Sequence, residues 1–270
     1  MTQQPLFDIE HLHGLLCHSR AFHEGEPDEH KLGKKLQEQC QRLPGIARIS
    51  VKGFEDVVFD GEGRWICIDP IDAPHHARRR SKMSGSYWTV ITILRTYEGA
   101  TFNDIELAGV VPLHWKANQP LLAWRSGDKC HSQWDTDEPM CTARETKLDL
   151  RNQLITANTF HPSTRKKLLD LFGDEIANIE DYGSPAFNML VVAFGGAQAF
   201  LCYQQDHYQL GAAYLFTKAA GGLALDWDGQ DLGPRHFQFD NKTPVILAAN
   251  GQIAHDVLRR MVQAWPPAMP

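Results

Sequence analysis

The sequence predicts an α+β protein built of stacked layers. Apolar runs with helical spacing and β-branched runs interleave along the chain without strict β-α-β alternation, which favours layers over a doubly wound sheet. Three β-rich runs also follow one another, Tyr87 to Leu94, Glu106 to Leu113 and Leu121 to Arg125, with Gly99 and Gly127 in the connecting turns, as an antiparallel meander requires. A chain of 270 residues, 43% hydrophobic and 22% charged, can bury the core that such layers need.

The elements are read in order. Ile9, Leu12, Leu15 and Leu16 recur at helical spacing between about Phe7 and Phe22. A second helix follows Pro27-Asp28, with Leu32, Leu36, Cys40 and Leu43 on one face, and Pro44-Gly45 ends it. Ile46 to Asp60 is extended, running through Ala47-Arg48-Ile49-Ser50-Val51 into Gly53-Phe54-Glu55-Asp56. Trp65 to Ile68 is a short apolar run, β-branched at Ile66 and Ile68, that reads as a buried strand. After the meander, Ser126 to Glu145 is polar and reads as a surface excursion, and a boundary near Arg151 to Thr156 divides 1–152 from 153–270. Beyond it, helices are expected at Ser163 to Phe172, Pro185 to Phe194, Gln209 to Ala220 and Ile253 to Trp265. Strands are expected at Gln198 to Tyr203, Leu223 to Trp227 and Pro244 to Ala249, and Gly221-Gly222 caps the third of those helices.

Composition excludes several function classes. A net charge of -6, with Arg78-Arg79-Arg80 the one basic run, is no footprint for nucleic acid or an anionic membrane. No long apolar span is present, and Met1-Thr2-Gln3-Gln4-Pro5 lacks the basic start and apolar core of a signal peptide, so a cytoplasmic protein is expected. The six cysteines include no Cys-x-x-Cys pair and read as reduced thiols.

The chemistry concentrates where the strand Trp65 to Ile68 ends, in Asp69-Pro70-Ile71-Asp72-Ala73-Pro74. Carboxylates at the carboxyl end of a buried strand, near a helix start, can ligate a hard cation and face a phosphate-attracting helix N-terminus. The alternative is an Asp-Pro turn with solvated carboxylates. Likewise, His75, His76 and the three arginines either contact an anionic ligand or form a solvated polar loop.

Trp65 to Asp72 resembles the first signature of the inositol monophosphatase family, W-x-x-D-P-[IL]-D-G-T, with one extra residue after the tryptophan. Tyr208-Gln209-Leu210-Gly211-Ala212-Ala213, Ala220-Gly221-Gly222 and Asp226-Trp227-Asp228-Gly229 resemble that family's W-D-x-A-A, E-A-G-G and D-x-x-G. Gly183-Ser184-Pro185-Ala186-Phe187-Asn188 resembles its G-S-A-A-L-D. The resemblance implies a layered αβαβα sandwich and a phosphomonoesterase using two or three Mg2+ ions on a polyol, sugar or nucleotide phosphate. It also implies roles for single residues. Asp69 would bridge two ions, Asp72 would bind one, the Ile71 carbonyl would complete the shell, and a glutamate of a G-E-E pair would hold the water-activating ion. Glu55 is the candidate for that glutamate, with Asp56 next and Glu62 competing. Substrate contacts would come from Ala73, Pro74, His75, His76, Ser184 and Gln209, and a homodimer is in keeping with the family.

Three departures from the family pattern weaken the implied reaction. The family's Gly-Thr after the second aspartate is Ala73-Pro74, which removes an N–H and a hydroxyl and should push Ala73 to an extended backbone. The metal-binding aspartate of W-D-x-A-A is Gln209, for which Asp206 or His207 would have to substitute. The glutamate of E-A-G-G is Ala219. Three readings follow: a divergent Mg2+-dependent phosphomonoesterase, a pseudophosphatase that binds an anionic metabolite or a protein partner, and an enzyme with other chemistry on an anionic substrate.

Overall fold

A computed structural model describes residues 9–23, 28–73, 88–113, 119–133, 142, 155–157, 166, 168, 170, 172 and 179–264. Helices α1 (Ile9–His23) and α2 (Glu29–Cys40) precede strands β1 (Ile46–Val51), β2 (Val57–Val58), β3 (Arg64–Asp72), β4 (Trp88–Leu94), β5 (Ile105–Pro112), β6 (Leu121–Ser126) and β7 (Lys129–Gln133). These strands form one sheet in the order β2-β1-β3-β4-β5-β6-β7, parallel between β1 and β3 and antiparallel elsewhere. The meander β4-β5-β6 matches the sequence reading. The excursion expected from Ser126 to Glu145 instead contains β7, whose side chains are exposed or half-buried. Such an edge strand has no apolar alternation to betray it.

The second sheet has the order β11-β12-β10-β8-β9, from β8 (Ile155–Ala157), β9 (Ile179–Glu180), β10 (Ala199–Asp206), β11 (Leu223–Leu225) and β12 (Lys242–Ala248). Helices α3 (Pro185–Ala193) and α4 (His207–Ala219) lie between the sheets, and α5 (Gly251–Ala264) covers the far face of the second. Residues 166, 168, 170 and 172, the described part of the helix expected at Ser163 to Phe172, are helical.

Strand alternation explains the layering. On β3, Ile66 and Ile68 join Leu12, Leu16, Leu32 and Leu36 of α1 and α2, while Trp65 and Cys67 join Leu210, Ala213 and Tyr214 of α4. The inner core continues across α4 to Phe200, Val245 and Leu247 of the second sheet. A third cluster joins Ile253, Val257 and Met261 of α5 to Leu201 and Ile246. The result is the αβαβα sandwich expected from the resemblance.

Two glycines shape α4. A Cβ on Gly211 would lie 2.8 Å from Thr92 Cγ2 and 3.1 Å from Phe237, so the glycine lets the first turns of α4 press against β4. At the other end Gly221 takes φ +86 and the Gly222 N–H reaches the Thr217 carbonyl at 2.8 Å, the glycine stop expected there. The described cysteines are free thiols, and no helix of the described residues is long and apolar enough to cross a membrane.

Candidate functional site

Residues three apart on a regular strand point to opposite faces, yet Asp69 and Asp72 meet the same partner. The β3–β4 register provides the reason. Asp69 pairs with Val90 and Asp72 with Trp88, so β3 carries one residue more than β4 between them. This bulge restores the face, sending Ile71 to the outer core with Ile66 and Ile68 and returning Asp72 to the inner side with Asp69. Pro70 has no N–H for the ladder and is suited to the bulge, and the Thr89 hydroxyl donates to its carbonyl at 2.8 Å.

Both carboxylates are fully buried, and each of their oxygens accepts a hydrogen bond. Asp69 Oδ1 faces Lys52 Nζ at 3.3 Å. The Gln209 amide nitrogen donates to Asp69 Oδ2 at 2.9 Å and to Asp72 Oδ1 at 2.6 Å, bridging the pair. Asp72 Oδ2 accepts the Ser184 hydroxyl and, at 3.0 Å, the Ala186 N–H. Since Ser184 is the N-cap of α3, Asp72 sits at the positive end of that helix. Gln205 Nε2 donates to Gln209 Oε1 at 2.8 Å, which orients the bridging amide. Lys52 Nζ also lies 3.1 Å from Glu29 Oε1 and 5.9 Å from the centre of the Tyr208 ring.

The electrostatics follow from this packing. Burial, and then the neighbouring Asp69 charge, pushes the Asp72 carboxyl up to about 7. Burial also raises Asp69, against the opposing pull of Lys52 and the Gln209 hydrogen bond. Burial works to lower Lys52, but Asp69 and Glu29 outweigh it and hold the ammonium firmly charged.

The expected site residues are placed as follows. Asp69, Asp72, Ser184 and Gln209 come together, with Ser184 and Gln209 turned to the carboxylates. Glu55 and Asp56 are exposed, and Asp56 pairs with Arg48. The residue that the end of β1 delivers to Asp69 is Lys52, a base where the sequence reading expected an acid. Its N–H continues the β1–β3 ladder to the Ile68 carbonyl at 3.0 Å, placing it beside the next residue, Asp69. Glu62 is exposed. Neither proposed substitute for the missing aspartate reaches the pair: Asp206 is 3.3 Å from Lys242, and His207 is packed against Phe102 and Phe237. Pro74, His75, His76 and the arginine run lie outside the described residues.

Ala73 corrects a further expectation. Instead of the extended backbone expected before proline, it has φ +60, a left-handed conformation in which a Cβ costs roughly 1–2 kcal/mol. A glycine at this position would adopt the same backbone without that cost. Ala73→Gly is expected to raise stability by up to about 1 kcal/mol in urea unfolding, the relieved strain being partly offset by unfolded-state entropy.

His207 yields a pH prediction. Its Nδ1 accepts the Gln238 N–H at 3.1 Å and its Nε2 has no partner among the described residues, in an apolar environment. Burial, then Arg235, lowers it to about 4. The unfolded chain therefore binds a proton below about pH 6.5 that the folded chain refuses until about 4, so the contribution of His207 to stability is full above that window and falls with pH through it, while the raised Asp72 carboxyl contributes in the opposite sense. The expected loss is about 3 kcal/mol between those limits. His207→Asn, which keeps an acceptor for Gln238, should flatten this acid limb in urea titrations at pH 7 and pH 4.5.

Magnesium seeks about six oxygens near 2.1 Å. Here the carboxylate oxygens are engaged by an ammonium, an amide, a hydroxyl and a backbone N–H. Among the described residues no group of three or more His, Cys, Asp or Glu side chains is arranged to hold a metal ion. The described residues do not fit a divalent cation.

No protein-family model matches the chain. Human inositol monophosphatase 1 is 25% identical to it over 242 residues, which span 88% of this chain and 79% of that protein. Among solved structures, the inositol monophosphatase from Anabaena (Nostoc) superposes with a TM-score of 0.70 at 14% identity over 94% of each chain. An IMPase/NADP phosphatase complexed with Mg2+ and phosphate superposes with a TM-score of 0.63 at 16% identity, covering 88% of this chain and 82% of that one.

Proposed function

We infer, for a chain that belongs to the inositol monophosphatase family, a non-hydrolytic role in which the fold binds a small phosphorylated metabolite without magnesium. The observation that carries this reading is the saturation of Asp69 and Asp72 by Lys52, Gln209, Ser184 and Ala186. Metal-dependent hydrolysis needs cations to neutralise the phosphate and ready a water. With the carboxylate oxygens already hydrogen-bonded from within, neither task has an agent. The ligand class is taken from the family, one of whose relatives by fold is complexed with Mg2+ and phosphate. A cytoplasmic setting is part of this reading.

The retained pair Asp69 and Asp72 favours a second reading, a Mg2+-dependent phosphomonoesterase whose ion displaces Lys52 and Gln209. One assay separates the two. Phosphate release from inositol, sugar and nucleotide monophosphates is expected to stay at the buffer rate with or without magnesium, while one of these ligands raises the melting temperature in the presence of EDTA. Magnesium-dependent release that vanishes in Asp69→Asn would establish the second reading instead.

A further inference from the structure

We propose that Lys52 and Gln209 are tethered stand-ins for divalent cations, and that reversing them reopens a cation site between Glu29, Asp69 and Asp72. The proposal takes its motive from the non-hydrolytic reading, but its test requires no turnover.

The geometry is specific to these two side chains. Lys52 Nζ lies between Glu29 Oε1, at 3.1 Å, and Asp69 Oδ1, at 3.3 Å, bridging an acid on α2 to one on β3 as a cation would. The Gln209 Nε2 occupies the space between Asp69 and Asp72, 2.9 Å from one and 2.6 Å from the other, so its two hydrogens serve two acceptors. A bridging ion would have to meet the same oxygens. It would also meet the Lys52 ammonium, and repulsion between like charges in a buried site excludes the pair. Glu29 and Asp69 share the Lys52 ammonium, and Asp69 and Asp72 share the Gln209 amide, so each gap between two acids is held by one donor. The strand and helix that supply the two stand-ins are rigid: Lys52 extends the β1–β3 ladder, and Gln209 sits in the first turn of α4, which Gly211 presses onto β4.

The test uses the full chain with Mn2+ and Mg2+ as probes. Wild type is expected to show no saturable Mn2+ binding by electron paramagnetic resonance at millimolar concentration, and no change of melting temperature with magnesium. Lys52→Glu/Gln209→Asp should bind Mn2+ saturably, and its melting temperature should climb by about 3 °C for each tenfold rise in magnesium above Kd. If that variant folds only with magnesium, the proposal is supported more strongly still. If it folds at no concentration, Lys52→Gln/Gln209→Asp, which adds less negative charge, must show the same shift. Saturable Mn2+ binding by wild type overturns the proposal, as does the absence of a magnesium response in both variants. Phosphate release by wild type would remove the non-hydrolytic reading. A silent wild type with unresponsive variants removes only the stand-in assignment.

Discussion

Lys52→Met is expected to lower the free energy of unfolding by about 3 kcal/mol, the range in which removing one partner of a buried ion pair falls. Methionine keeps the length and apolar stem of the side chain but takes the ammonium from Asp69, which is fully buried. The comparison that isolates the cause is Glu29→Gln. Glu29 is the other acid on Lys52, but its side chain is 26% exposed where that of Asp69 is 0%. Water substitutes for the ammonium there, and the expected loss is under about 1 kcal/mol. Urea midpoints at constant slope measure both. Equal losses would mean that Lys52 acts by packing rather than by neutralising Asp69.

Gln209→Leu should cost more, about 4 kcal/mol. Leucine nearly fills the same volume, so no large cavity is left; the damage is polar. Asp69 Oδ2 and Asp72 Oδ1 lose their donor and Gln205 Nε2 loses this acceptor, all in the buried interior. Each buried group left unsatisfied costs roughly 1–3 kcal/mol. Because Lys52 and Gln209 serve the same Asp69, the double variant Lys52→Met/Gln209→Leu should depart from additivity by about 1 kcal/mol or more. Strict additivity would show that the two groups act on separate carboxylates and would break the link between them.

The layered fold was legible because its elements are long and strongly patterned. Apolar residues at helical spacing marked α1 and α2, β-branched runs marked the meander, and a glycine pair marked the end of α4. What escaped were segments without such a pattern, β7 with its polar side chains and the three-residue β8. At the site, Asp69, Asp72, Ser184 and Gln209 were all legible, but as ligands and substrate contacts rather than as partners of one another. Lys52 was missed although a signal existed. The residue after the last apolar position of β1 lies beside Asp69 on β3, whatever its charge, and Lys52 stands where the resemblance implied a carboxylate.

The sequence by itself determined the architecture and the identity of the two acids, because periodicity and short motifs are local properties of the chain. Only the tertiary structure decided what those acids do. The bulge in β3 puts both on one face, although their spacing alone would separate them. Lys52 lies 17 residues and Gln209 140 residues from Asp69 along the chain, and folding brings both within hydrogen-bond distance of it. Whether a buried carboxylate awaits a metal or is already neutralised depends on the groups around it, and those are assembled by packing rather than by sequence neighbourhood.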